Sequence, residues 1–189
     1  MNTLKAEKRS MNVKAKKLRR EGFVTGNLFG REIEGSIPLK FTKKEIEVLL
    51  KNNNKGSQVM LELDGKTYDA LIKEVDYNPL AHTVEEVDFQ ALVSNEMVHS
   101  TAEIILENEE KVMSGVLQDE LKEVAYKALP ADLVDKIKVD VAGMKIGDTL
   151  RVKDLEIAKN KNIHITTDPE AVVATVTPVH NVVPETETE

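Results

Sequence analysis

Residues 59–75 read VMLELDGKTYDALIKEV. Two runs suited to strands, Val59–Leu63 and Thr67–Val75, flank Asp64-Gly65. That dipeptide is favoured in the tight type I′ turn that joins antiparallel strands, so the stretch predicts a β-hairpin. Upstream, Thr42-Lys-Lys-Glu45 has the spacing of a capping box and opens a helix through about Lys51, with Ile46, Leu49 and Leu50 as its apolar stripe. Asn52-Asn53-Asn54-Lys55-Gly56 ends that helix. Downstream, after Asn78-Pro79, Val84–Leu92 reads as another strand with Val87 and Phe89 on one side.

The second half continues in strands: Ala102–Leu106, Lys111–Leu117, Leu121–Leu129, Ile137–Val141, Thr149–Val152, Ile163–Thr167 and Ala171–Thr177. Pro130–Val134 suits a short helical turn, and Gly143 and Gly147-Asp148 punctuate the strands. The fold class is mainly β with a few short helices. A boundary is expected near Val93–His99, giving domains over 1–93 and 94–179, with a disordered acidic tail over 180–189. No internal repeat is evident.

Aromatics make up 4% of the chain and Trp is absent, so the cores must be aliphatic. There is no Cys, which excludes disulfides, thiolate metal sites and a Cys nucleophile. Neither a signal peptide nor a membrane span is expected, which points to a cytoplasmic protein.

Charge is distributed unevenly. The chain carries −7 overall, yet residues 1–55 hold 14 Lys/Arg against 6 Asp/Glu, while residues 56–95 are net −6 and residues 96–189 net −9. The basic character is densest in residues 5–23, KAEKRSMNVKAKKLRREGF. Residues 14–20 suit a short helix in which Ala15 and Leu18 share a buried side, and Lys16, Arg19 and Arg20 project outward. Gly22, Gly26 and Gly30 then predict turns around short strands over residues 22–35. A basic segment on an acidic body suits a polyanion: each cation that neutralises a phosphate releases a counterion, and Arg adds bidentate contacts. Lys14 and Arg20 belong to this candidate surface.

Other motifs carry less. Gly30-Arg-Glu-Ile-Glu-Gly35-Ser36 lacks the Lys of a phosphate loop and reads as a turn. His82, His99, His164 and His180 are scattered, with no zinc-ligand spacing. Glu86 and Asp88 would share a strand face; a solvated acidic strand is favoured over a proton-transfer pair. No catalytic constellation, metal site or cofactor is indicated.

Ala6-Glu7-Lys8-Arg9, Lys16-Lys17-Leu18-Arg19-Arg20-Glu21-Gly22, Leu28-Phe29-Gly30, Leu71–Val75, Asn78-Pro79 and Val87-Asp88-Phe89 together resemble the bacterial large-subunit ribosomal protein family that binds 5S rRNA. Gly115-Val116-Leu117-Gln118, Ile137–Val141, Ile146-Gly147-Asp148 and Asp168-Pro169 resemble its longer form, which includes the general stress protein Ctc. The resemblance covers nearly the whole chain except the tail. It implies a β-barrel-like RNA-binding domain followed by a β-rich domain. It also implies that 5S rRNA meets Arg9, Lys16, Arg19, Phe29 and Asp88, and that the large subunit and neighbouring ribosomal proteins are partners. The chain departs from the family pattern at Phe29 (commonly Tyr), Glu86 (commonly His), Lys16 (commonly Arg) and Thr25 (commonly Pro). Glu86 thereby joins the residues expected to face RNA. The alternative reading is a stress-related protein-interaction module with weakened rRNA binding.

Overall fold

The computed structural model describes residues 3–112 and 115–178. The expected tail and His180 lie outside these residues. The protein is mainly β, as expected.

The first region comprises β1 (Thr3–Lys8), α1 (Ala15–Arg20), β2 (Phe23–Phe29), β3 (Ser36–Thr42), α2 (Lys43–Asn52), β4 (Gln58–Leu63), β5 (Lys66–Asn78) and β6 (Thr83–Ala91). Its six strands close into a barrel in the order β1-β3-β2-β6-β5-β4. β1 runs parallel to β4 and β2 parallel to β6; the remaining pairs are antiparallel. The opening hairpin is β4–β5, with Leu63 facing Lys66 across the turn. Asp64 and Gly65 have φ of 51° and 77°, and a type I′ turn needs this sign at both central residues. Val59, Leu61 and Leu63 alternate inward and meet Leu28, Leu39, Ala70, Ile72 and Val87 in the barrel core. Two aromatic side chains join this aliphatic core: the Phe41 and Phe89 rings lie 5.4 Å apart. α2 contributes Ile46 and Leu49 to the core. Its capping box forms: Thr42 Oγ1 accepts from the Glu45 N–H at 3.3 Å, and the Glu45 carboxylate accepts from the Thr42 N–H at 3.3 Å.

Residues 22–35 differ from expectation. Gly22 and Gly35 are turn glycines with positive φ, but Gly26 lies inside the continuous strand β2. A Cβ at Gly26 would sit 2.1 Å from the Val87 carbonyl oxygen on β6. The residue therefore permits close approach between two strands, a second use of glycine that turn signals do not distinguish.

The second region comprises β7 (Val98–Glu107), β8 (Val116–Asp119), β9 (Glu123–Ala128), β10 (Lys136–Asp140), β11 (Thr149–Arg151), β12 (His164–Ile165) and β13 (Val172–Thr177), with short 3-10 turns between several of them. One sheet has the order β10-β7-β9-β12 and the other β11-β13-β8. The strand expected over Lys111–Leu117 begins only at Val116, because Glu109–Lys111 forms a 3-10 turn. Pro130–Asp132 is the expected helical turn. Ala102, Ile104, Val124, Ile137, Leu155 and Val173 build a core around Tyr126, whose hydroxyl donates to Val134 O and accepts from Val134 N–H, both at 2.7 Å.

The two cores share no residue. Polar contacts join the regions: Ser57 Oγ donates to Asp135 Oδ2 at 3.2 Å, Lys73 Nζ to His99 O at 2.7 Å, and Asn54 Nδ2 to Glu103. Gly56 lies where a Cβ would be 1.9 Å from Thr101 O.

Candidate nucleic-acid interface

α1 is only six residues long and has no side-chain N-cap, so tertiary packing must hold it. Leu18 provides this, buried against the barrel, with Ala15 half-buried beside it. The packing sets where the cations go. Lys14, Lys16 and Arg20 are exposed, and none makes an ion pair among the described residues.

Arg19 corrects its expectation. It does not project outward but folds onto β6. Its Nε donates to Glu85 O at 3.2 Å, Nη1 lies 2.9 Å from Glu85 Oε2, and Nη2 lies 3.6 Å from Glu86 Oε2. Simple alternation would place Glu85 and Glu86 on opposite faces. The β5–β6 register slips here, however: Asp76 faces Glu86 while Tyr77 faces Val84. Glu85 is thus the extra residue on its strand, and both carboxylates reach Arg19. Glu85 also accepts from Asn78 Nδ2 at 2.8 Å.

Further along β6, Asp88 Oδ1 accepts from both Asn27 N–H and Asn27 Nδ2 at 3.0 Å, and Asn27 Nδ2 also reaches Glu86 Oε1 at 3.3 Å. Asn27 and Phe29 share the outer face of β2. Glu86, Asp88, Asn27 and half-buried Phe29 therefore form one strip across β2 and β6, bordered by Arg19. Half-buried Arg9 donates through Nη2 to Val13 O at 3.2 Å. The Glu86 carboxyl is pushed above its ordinary pKa by burial first, then by the negative charges of Asp88 and Asp76, against the opposing pull of Arg19 and Arg9. Asn27 and Glu85 were missed in the sequence. Asn27 was hidden by the reading of its segment as turns, and Glu85 by the bulge.

Residues 4–89 match the Ribosomal L25p family, and residues 97–180 match the C-terminal domain of ribosomal protein TL5. The chain is 32% identical over 190 residues to the large ribosomal subunit protein bL25 of Carboxydothermus hydrogenoformans, covering 96% of this chain and 94% of that one. It is 30% identical over 182 residues to bL25 of Bacillus velezensis, covering 94% and 89%. The chain belongs to the bL25 family, a family of ribosomal proteins and not of enzymes.

Proposed function

We propose that the protein binds 5S rRNA as a structural component of the large ribosomal subunit in the cytoplasm, through the outer face of β2 and β6 and the exposed side of α1. The observation that carries this reading is the placing of three exposed cations without an ion pair among the described residues (Lys14, Lys16 and Arg20) beside the polar strip of Asn27, Glu86 and Asp88. The cations supply phosphate contacts, with Arg9 behind them. The Asp88 carboxylate, aligned by Asn27, accepts hydrogen bonds from 2′-hydroxyls or base amino groups of an RNA helix presenting its wide minor groove. Phe29 offers a surface for stacking.

Asp88→Ala tests the reading in a 5S rRNA binding assay at fixed salt. The expected result is an affinity loss of roughly 10-fold, since a buried charge-assisted hydrogen bond is worth about 1.5–3 kcal/mol and this one is partly exposed. Affinity equal to the parent contradicts the reading.

A second reading rests on Arg19. Its guanidinium is already held by Glu85 and Glu86, which fits a relative whose hold on rRNA has weakened in favour of protein partners. Co-sedimentation with ribosomes at moderate salt separates the two: retention supports rRNA binding, and release with intact fold supports the weakened form.

A further inference from the structure

One face of the β10-β7-β9-β12 sheet is buried in the second core. Along β7, Val98, Ser100 and Ala102 face that core, while His99 and Thr101 face away. The register then places His99 opposite Lys127 on β9, and Lys127 opposite His164 on β12. All three are exposed. Strands lie about 4.8 Å apart, so these side chains form a row spanning about 10 Å.

At its β7 end the row meets the barrel. Lys73 of β5 donates through Nζ to His99 O at 2.7 Å. Lys55, Lys73 and His99 border a cleft of about 240 Å³ between barrel and sheet. Among the described residues neither Lys73 nor Lys127 makes an ion pair, and Lys55 reaches Glu123 only at 3.7 Å. Burial, then the charges of Lys127 and Lys73, lower the pKa of His99; burial, then Lys55, lower that of Lys73 against the opposing charge of Glu74. In a chain of net charge −7, the row gathers two lysines and two histidines, with Glu74 in the cleft and the facing Glu103 and Glu123 further along the β7–β9 pair as the nearest carboxylates.

Lys73 is the unpaired residue where the β5–β6 register shifts between Ile72 and Glu74, and it lies next in sequence to Glu74, which faces Asp88 of the barrel strip. We infer that Lys73, His99, Lys127 and His164 form a second phosphate-binding surface, which carries the RNA engaged by the barrel onto the C-terminal sheet. The chemistry favours a phosphodiester backbone. Lysines offer donors only, and a neutral imidazole offers one N–H to a phosphate oxygen while its second nitrogen can accept a proton when phosphate is close. The inference rests on the proposed rRNA binding for the identity of the RNA, but not for the chemistry of the surface.

The test uses the full chain, the single variant Lys127→Ala and the double variant Lys73→Ala/Lys127→Ala. Binding is measured to 5S rRNA and to 23S rRNA across a salt series, with melting temperature as a check on folding. Each lost phosphate contact is expected to lower the slope of log K against log salt by about 0.7–0.9, which amounts to roughly 4–6-fold in affinity at 0.15 M salt. Exposed Lys127 keeps the test independent of the junction that Lys73 helps to hold. If the parent binds 5S rRNA and both variants match its affinity and slope, the second surface is refuted and the 5S reading stands. If the parent ignores 5S rRNA but binds 23S rRNA, with the variants weaker, the surface stands and the 5S reading falls. Binding to neither RNA refutes both.

Discussion

Arg19 and Glu86 decide how the face of the barrel presents itself to an anion. An ion pair as exposed as Arg19–Glu86 is worth about 0.2–1 kcal/mol, so phosphate can displace it, but the carboxylates must then be left beside a polyanion. Glu86→Gln removes that charge and keeps an acceptor for Asn27. It should tighten 5S rRNA binding several-fold at fixed salt; weaker binding would mean that ionised Glu86 makes a favourable contact with RNA. The same variant has a pH signature. The folded pKa of Glu86 is raised, so the folded state holds its proton to higher pH than the unfolded chain, and stability falls as pH rises from the unfolded pKa through the folded one. Glu86→Gln should therefore stabilise the protein at neutral pH by up to about 1 kcal/mol, after allowing for solvent screening at a side chain one-third exposed, with the gain vanishing below the ordinary carboxylate range. Urea denaturation at pH 7 and pH 4 checks this. Arg19→Ala, by contrast, should affect RNA binding less than Lys16→Ala, because Arg19 spends its donors on the protein.

Strand β2 shows where a glycine is required for packing and not for turning. Gly26→Ala would push a methyl into the Val87 carbonyl of the neighbouring strand, where backbone cannot yield as a flexible side chain can. Overpacking costs typically about 1–3 kcal/mol, and this position should lie at or above the top of that range in urea denaturation. A loss under 1 kcal/mol would show that the barrel adjusts easily at the β2–β6 seam. The capping box of α2 is a milder case: Thr42→Ala should cost about 1 kcal/mol. These elements also mark what the sequence discloses. The β4–β5 hairpin and the α2 start are written in local turn and cap chemistry, and both form as read. The interior of β2 depends on a strand distant in sequence, so its glycine looked like a turn. Glu85 reaches Arg19 only because of a register slip between β5 and β6, which alternation cannot reveal. The basic character of α1 was legible; which of its cations stays free was set by the barrel wall.

The molecule as a whole separates into two cores joined by polar contacts, and the two family matches leave residues 90–96 between them. We propose that residues 1–93 and 97–178 fold as separate units. Limited proteolysis should cut within residues 93–97, and a 1–93 fragment should unfold cooperatively on its own; a fragment that is soluble only with the second half would refute the division. The positive charge gathers in residues 1–55, inside the first of these units, while residues 56–95 and 96–189 are acidic, and screening over about 8 Å keeps the two from cancelling. The central claim is that the exposed side of α1 grips 5S rRNA through its phosphates. The most direct measurement is the dissociation constant for 5S rRNA across a salt series, for the parent and for Lys14→Ala/Lys16→Ala/Arg20→Ala. Three lost contacts should flatten the slope of log K against log salt by about 2–3, with the melting temperature unchanged because these side chains are exposed. An unchanged slope in a folded variant would contradict the account.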